Sequence, residues 1–173
     1  YSLYKLFIGA DKNEKINTRF LTEKKRPGLA ERISVWIRGN VFIPDARKFW
    51  IRPSVRFLSH WLKSNPVDVI ISSGPPHSMH LIGLKLSQRT GIPWLADFRD
   101  PWTNIDYYRD LKLSERADKI HHQLEQSVIS GASKVVVVGS DMQNEFLSKY
   151  QVKPEIILNG FDPDDFKSVK TTN

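Results

Sequence analysis

The sequence predicts an α/β protein built on a parallel sheet with helices on both faces. Four short runs with apolar residues carry this reading: Asp68–Ser73, Ile92–Ala96, Lys134–Val138 and Glu155–Leu158. Segments with apolar residues at helical spacing separate them: Ser78–Arg89, Ser114–Ser130 and Asp141–Tyr150. The run Lys134–Val138 (KVVVV) is apolar on consecutive residues, as in strands covered on both sides. Strand, helix, strand, helix in this order predicts parallel pairing.

The elements follow from local chemistry. Residues 9–28 are polar and basic, with Lys24, Lys25 and Arg26 before Pro27-Gly28, and read as a mobile surface loop. Leu29–Arg38 suits a short helix. Arg52–Lys63 suits a stronger one, with Pro53 in its first turn and Val55, Leu58 and Leu62 on one face. Asn65-Pro66 ends it. Ser78 is the expected N-cap of the next helix, with Leu81, Ile82 and Leu86 facing inward, and Gly91 stops it. Ala117, Ile120, Leu124 and Val128 form one stripe of the helix after Ser114. Ser140 and Gln143 have capping-box spacing at the start of the last. Trp36, Trp50 and Trp61 are expected to be core or lid aromatics.

The 173 residues carry 40% apolar and 11% aromatic residues, which supports a packed domain and argues against disorder. The formal net charge of +7 suggests an acidic partner such as phosphate groups, nucleic acid or an anionic membrane surface. There is no cysteine, so disulfides, thiolate metal sites and cysteine catalysis are excluded. No apolar run approaches the ~20 residues of a spanning helix. The chain opens at Tyr1 without the charged-then-apolar order of a signal peptide. A cytoplasmic protein is expected, or one peripheral at the inner face of the membrane.

Parallel sheets bind ligands beyond the carboxyl ends of their strands, so the chemistry is sought in Gly74–Ser78, Asp97–Trp102, Gly139–Asp141 and Asn159–Asp162. In SSGPPHS, Gly74 allows a sharp turn, two prolines stiffen it, and the helix amino end at Ser78 can receive an anion or a sugar hydroxyl. His77 is its titratable group. His77 and His80 have HxxH spacing, but the absence of a carboxylate or third ligand argues against a metal. In DFRDPW, alternation puts Asp97 and Arg99 on one side and Phe98 on the other, and Asp100 is held extended before Pro101. An arginine between two carboxylates can order a site, and a free carboxylate can accept a proton from a sugar hydroxyl. Gly139-Ser140 is ordinary strand-to-helix chemistry. His121-His122 lies mid-helix and reads as packing and solvent. No GxGxxG follows a strand and no P-loop is present.

The succession SSGPPHS, GIPWLADFRDPW, ADKIHHQLEQSVISGASKVVVVGS and PEIILNGFDPDDF resembles the amino-terminal, acceptor-side domain of GT-B glycosyltransferases of family four. The resemblance covers about Phe42 to Phe166 and is most specific in Ala96–Trp102 and Ile157–Phe166. It implies a Rossmann-like parallel sheet with helices on both faces, as a partial amino-terminal domain of a GT-B fold. Residues 1–41 would be a basic surface loop and short helices. Residues 42–166 would form the acceptor-side domain without its first strand, and 167–173 would start the interdomain linker. The implied reaction is retaining transfer of a sugar from a nucleotide-sugar donor to a glycan or lipid-linked acceptor, with hexosyltransferase chemistry serving polysaccharide and cell-envelope synthesis. The leaving phosphate would help deprotonate the acceptor, so no strong protein base is required. A second domain with Glu-x7-Glu would hold the donor, and the chain alone would not transfer sugar.

The candidate catalytic residues are His77 and Asp100. The candidate substrate-binding residues are Gly74, Ser78, Asp97, Arg99, Trp102, Ser140, Asn159, Gly160 and Asp162. Many relatives carry a histidine where Arg99 stands, which leaves His77 or Asp100 to contact the transferred sugar. No cofactor and no metal are expected, the nucleotide-sugar being a substrate. The alternatives are a GT-B sugar-nucleotide epimerase and a non-catalytic basic module, for which Lys24–Arg26 is weak support and no nucleic-acid motif is present. Two surface expectations complete the reading. The apolar edge Val69–Ile71 should be covered by the first fifty residues or by a second copy, a homodimer through the sheet edge. Arg47, Lys48, Arg52 and Arg56 should share a surface facing anionic lipid.

Overall fold

The computed structural model describes residues 29–162. The basic loop read at 9–28 and the linker read at 167–173 lie outside the described residues. Two helices come first, α1 (Leu29–Asn40) and α2 (Ile51–Trp61), the second entered through a single 3-10 turn, Lys48–Trp50. The alternating part follows as β1 (Ile70–Gly74), α3 (Ser78–Thr90), β2 (Trp94–Phe98), α4 (Glu115–Gly131), β3 (Lys134–Val137), α5 (Ser140–Tyr150) and β4 (Glu155–Ile156). The four strands form one parallel sheet in the order β1-β2-β3-β4, with Ile70 opposite Trp94 and Leu95 opposite Lys134. The Rossmann-like parallel sheet is therefore as the sequence predicts.

Each crossover steps to the next strand in the same direction. One face of the sheet carries Ser72, Gly74, Trp94, Ala96, Phe98, Val135 and Val137, all buried. On the opposite face Ile71 is 65% exposed, and Ser73 is exposed too. The expected cover over Val69–Ile71 is absent among the described residues, where β1 is an edge strand.

Packing centres on Phe98. Its ring stacks on His80 at 4.4 Å and meets Phe146 of α5 edge-on at 5.2 Å. Two predicted caps are replaced by other devices. His77, not Ser78, is the N-cap of α3, and the Ser78 amide donates to the Asp45 carboxylate, 2.7 Å away and 33 residues earlier. At α5 the N-cap is Gly139, and Gln143 uses its side chain to reach the Pro154 carbonyl instead of closing a capping box. Ser114 does cap α4 through the Ala117 amide, and Gly91 ends α3 at φ +71°, where a side chain would be strained. Trp36, Trp50 and Trp61, expected in the core or a lid, are all exposed. Ile51 and Val55 take the inward places of α2.

Candidate functional site

The loops that leave β1, β2 and β4 meet at the carboxyl end of the sheet. Gly74 and Phe98 are register partners, and the Arg99 amide donates to the Gly74 carbonyl at 2.9 Å. Alternation along β2 divides the region into two layers.

The open layer is polar. Asp97 accepts from the Ser73 hydroxyl at 2.8 Å and from Arg99 at 3.2 Å. The Arg99 guanidinium also donates to the Ile157 carbonyl at 3.4 Å and to the Asn159 side chain. One arginine thus ties the end of β2 to the segment after β4, joining the two most distinctive motifs of the sequence. Asp100, Asn159, Gly160 and Asp162 are exposed. Ser140 is exposed at the first turn of α5, apart from this hydrogen-bonded group.

The inner layer is aromatic. The His77 ring stacks on the Trp102 indole, centroids 4.6 Å apart and planes 2° apart, and lies 6.1 Å from Phe98. Burial lowers the His77 pKa to about 4 against the opposing pull of Asp45, Glu125 and Asp100. His77 is therefore a neutral imidazole near pH 7, suited to a hydrogen bond with a hydroxyl and poorly suited to act as a base. Its Nδ1 is buried without a partner.

Trp102, read as a binding residue, is itself buried, and its indole N–H donates to His121 Nδ1 at 3.1 Å. Ser78 is buried as well, with its amide held by Asp45. Gly74 is buried, and a Cβ there would stand 2.6 Å from His80 Nε2, so the residue serves close packing. His77 thus belongs with Phe98 and Trp102, whereas Asp97 and Arg99 belong to the open layer. Asp100 bears on both, being close enough to favour protonation of His77.

Sequence reasoning missed the groups that hold this arrangement. Asp45 lies far from any strand and gave no signal. Glu125 is 0% exposed and accepts from the Thr103 amide and hydroxyl, the Tyr150 hydroxyl and Lys149, at 3.3, 2.5, 2.5 and 3.2 Å. A glutamate interrupting the apolar stripe of α4 was the available hint. His80 is fully buried, facing Ser72, whose hydroxyl also receives the Trp94 indole N–H. A concavity of about 440 Å³ lies on the loop after Trp102, lined by Thr103, Asn104, Asp106, Arg109 and His122 among others. It includes none of His77, Arg99 and Asp100.

A Rossmann-like sheet with a polar rim at its carboxyl end defines a class of ligand-binding α/β domain. The model of glycosyltransferase family 4 matches residues 12–165, and the chain belongs to that family. It is the amino-terminal type of domain of a GT-B glycosyltransferase. No curated protein and no solved structure matches the chain. Among the described residues no helix is long and apolar enough to cross a membrane.

Proposed function

We propose that this chain is the acceptor-side part of an enzyme that transfers a sugar, of hexosyl type, from a nucleotide-sugar donor to a glycan or lipid-linked acceptor, with retention of anomeric configuration. The reading places it in the cytoplasm, peripheral at the membrane, in polysaccharide synthesis of the cell envelope. The observation that carries it is the Arg99 bridge. Asp97, Arg99 and Asn159 hold one another at the open end of the sheet, presenting donors and acceptors in a fixed pattern. Such a set matches the hydroxyl groups of a sugar, and Asp100 adds an exposed carboxylate. His77 contributes an uncharged ring that orients a hydroxyl without removing its proton. A donor phosphate that takes up the acceptor proton on leaving balances the step and needs no protein base.

The test is to supply an enzyme that carries this chain together with a donor-binding domain with nucleotide-sugars and with glycan and lipid-linked acceptors, and to follow both substrates by mass spectrometry and NMR. The expected result is an acceptor heavier by one sugar, with the anomeric configuration of the donor. Conversion of the nucleotide-sugar to an epimer with no acceptor consumed would establish the epimerase instead.

A further inference from the structure

We infer that His121 is a positioning residue that acts on His77 through the Trp102 indole, given the reading of His77 as the ring that orients a sugar hydroxyl. His121 on α4 and Trp102 in the loop after β2 are each 3% exposed. The Trp102 indole N–H donates to His121 Nδ1 at 3.1 Å. An indole N–H can only donate, so Nδ1 presents its lone pair and the one proton of the neutral ring sits on Nε2. Nε2 faces the Gly39 carbonyl at 3.5 Å, the acceptor that this tautomer needs. Burial lowers the His121 pKa, which keeps the Nδ1 lone pair available near neutrality.

The surroundings hold His121 in place. Beside Gly39, the Asn40 side chain accepts from the Ser114 amide at 2.7 Å and donates to the Lys112 carbonyl at 3.3 Å, which ties the end of α1 to the start of α4. The Tyr108 ring meets His121 edge-on at 5.8 Å, and its hydroxyl donates to Asp118 at 2.9 Å. A fixed Nδ1 fixes the indole, because turning the buried N–H away would leave it unpaired. The indole in turn sets His77, whose plane is parallel to it within 2° at 4.6 Å. The rings of Phe98 and His80 lie farther from His77, at 6.1 and 5.9 Å, with planes tilted by 32°. His77 Nδ1 has no hydrogen-bond partner among the described residues, so the stack on Trp102 orients the ring.

The first test is NMR of the whole chain, with the Trp102 indole N–H assigned by Trp102→Phe. Its proton is expected downfield and slow to exchange. His121→Phe removes the acceptor and should move that resonance upfield, speed its exchange about ten-fold, the scale of one lost hydrogen bond, and shift the His77 ring signals. His121→Asn, whose Oδ1 stands where Nδ1 stood, should restore both. Trp102→Phe keeps a ring on His77 without an N–H and should shift the His77 signals as His121→Phe does. The second test is kinetics in the enzyme that joins this chain to its donor-binding domain. His121→Phe should lower kcat about ten-fold with KM little changed, as for a group held slightly out of place, and His121→Asn should recover most of it. In a His77→Ala background His121→Phe should cost nothing further. Trp102 and His77 signals unmoved in His121→Phe would overturn the inference, as would an equal kcat loss with His77 already removed. A parent enzyme without turnover would count against the transferase reading alone, and the NMR comparison would then decide the role of His121.

Discussion

The His77 imidazole and the Trp102 indole lie in parallel planes 4.6 Å apart, so the histidine nearest the strand ends is packed before it can act. Stacking and hydrogen bonding can be separated by substitution. His77→Phe keeps an aromatic ring on Trp102 but has no nitrogen. It should lower kcat by ~10²-fold, the scale of a positioned polar group, with Tm near that of the parent. His77→Ala should lower kcat similarly and also lower Tm by losing the stack. Parental kcat in both variants, at saturating donor and acceptor, would assign His77 to packing alone.

Glu125 is the most heavily bonded buried carboxylate among the described residues. Lys149 is its cation, with the ammonium 3.2 Å away and partly open to solvent. Lys149→Met should leave a buried charge without its ion pair and cost roughly 3–5 kcal/mol, the range for breaking one partner of a buried pair. Glu125→Gln should cost less, because an amide still accepts from Thr103 and Tyr150. Denaturant unfolding of the two variants checks the order.

Stability should fall as the solution is acidified below neutrality. Burial lowers the His80 pKa to about 3, with His77 nearby acting in the same direction, and lowers His77 to about 4. Both sit below the ordinary value near 6.5. Below that value the unfolded chain takes up protons that the folded chain refuses, so stability present at pH 7 is lost towards pH 4 and 3. For His80 alone the loss between pH 7 and pH 5 is about 2 kcal/mol, at ~1.4 kcal/mol per unit. His80→Phe should flatten that slope, measured as Tm against pH. An unchanged slope would show that His80 titrates normally.

The sheet was legible in the sequence because parallel strands are read from apolar runs and turn residues, both local signals. All four runs became strands, though β1 and β2 begin two residues later than read, at Ile70 and Trp94. Which strand positions are buried was not legible from apolarity alone, since Ile71 is as apolar as the buried Val135. Strand order decides it, and that is a long-range property. The caps failed for a related reason: spacing proposes a local partner, but the Ser78 amide is held by Asp45 from a distant loop. In the site, alternation correctly put Asp97 and Arg99 together, and they pair at 3.2 Å. The burial of Trp102 against His121 depends on how α4 docks, which no spacing in DFRDPW records. The exposed tryptophans show the limit of composition: a large apolar ring fits a core or a bilayer surface equally well.

The central claim is that the Arg99-centred rim binds sugar during transfer. It is tested most directly by the kinetics of Arg99→Lys in the enzyme that joins this chain to its donor-binding domain, acting on nucleotide-sugar and acceptor. Lysine keeps the charge but cannot reach Asp97, Ile157 and Asn159 together as the planar fork does. The account predicts a kcat/KM for acceptor reduced by at least ~10-fold, the lower end for losing a charge-assisted hydrogen bond. It also predicts faster amide exchange over Ile157–Gly160 and an unchanged Tm. Parental kcat/KM together with loosened exchange over that segment would contradict it, because the bridge would then be structural and the sugar would bind elsewhere.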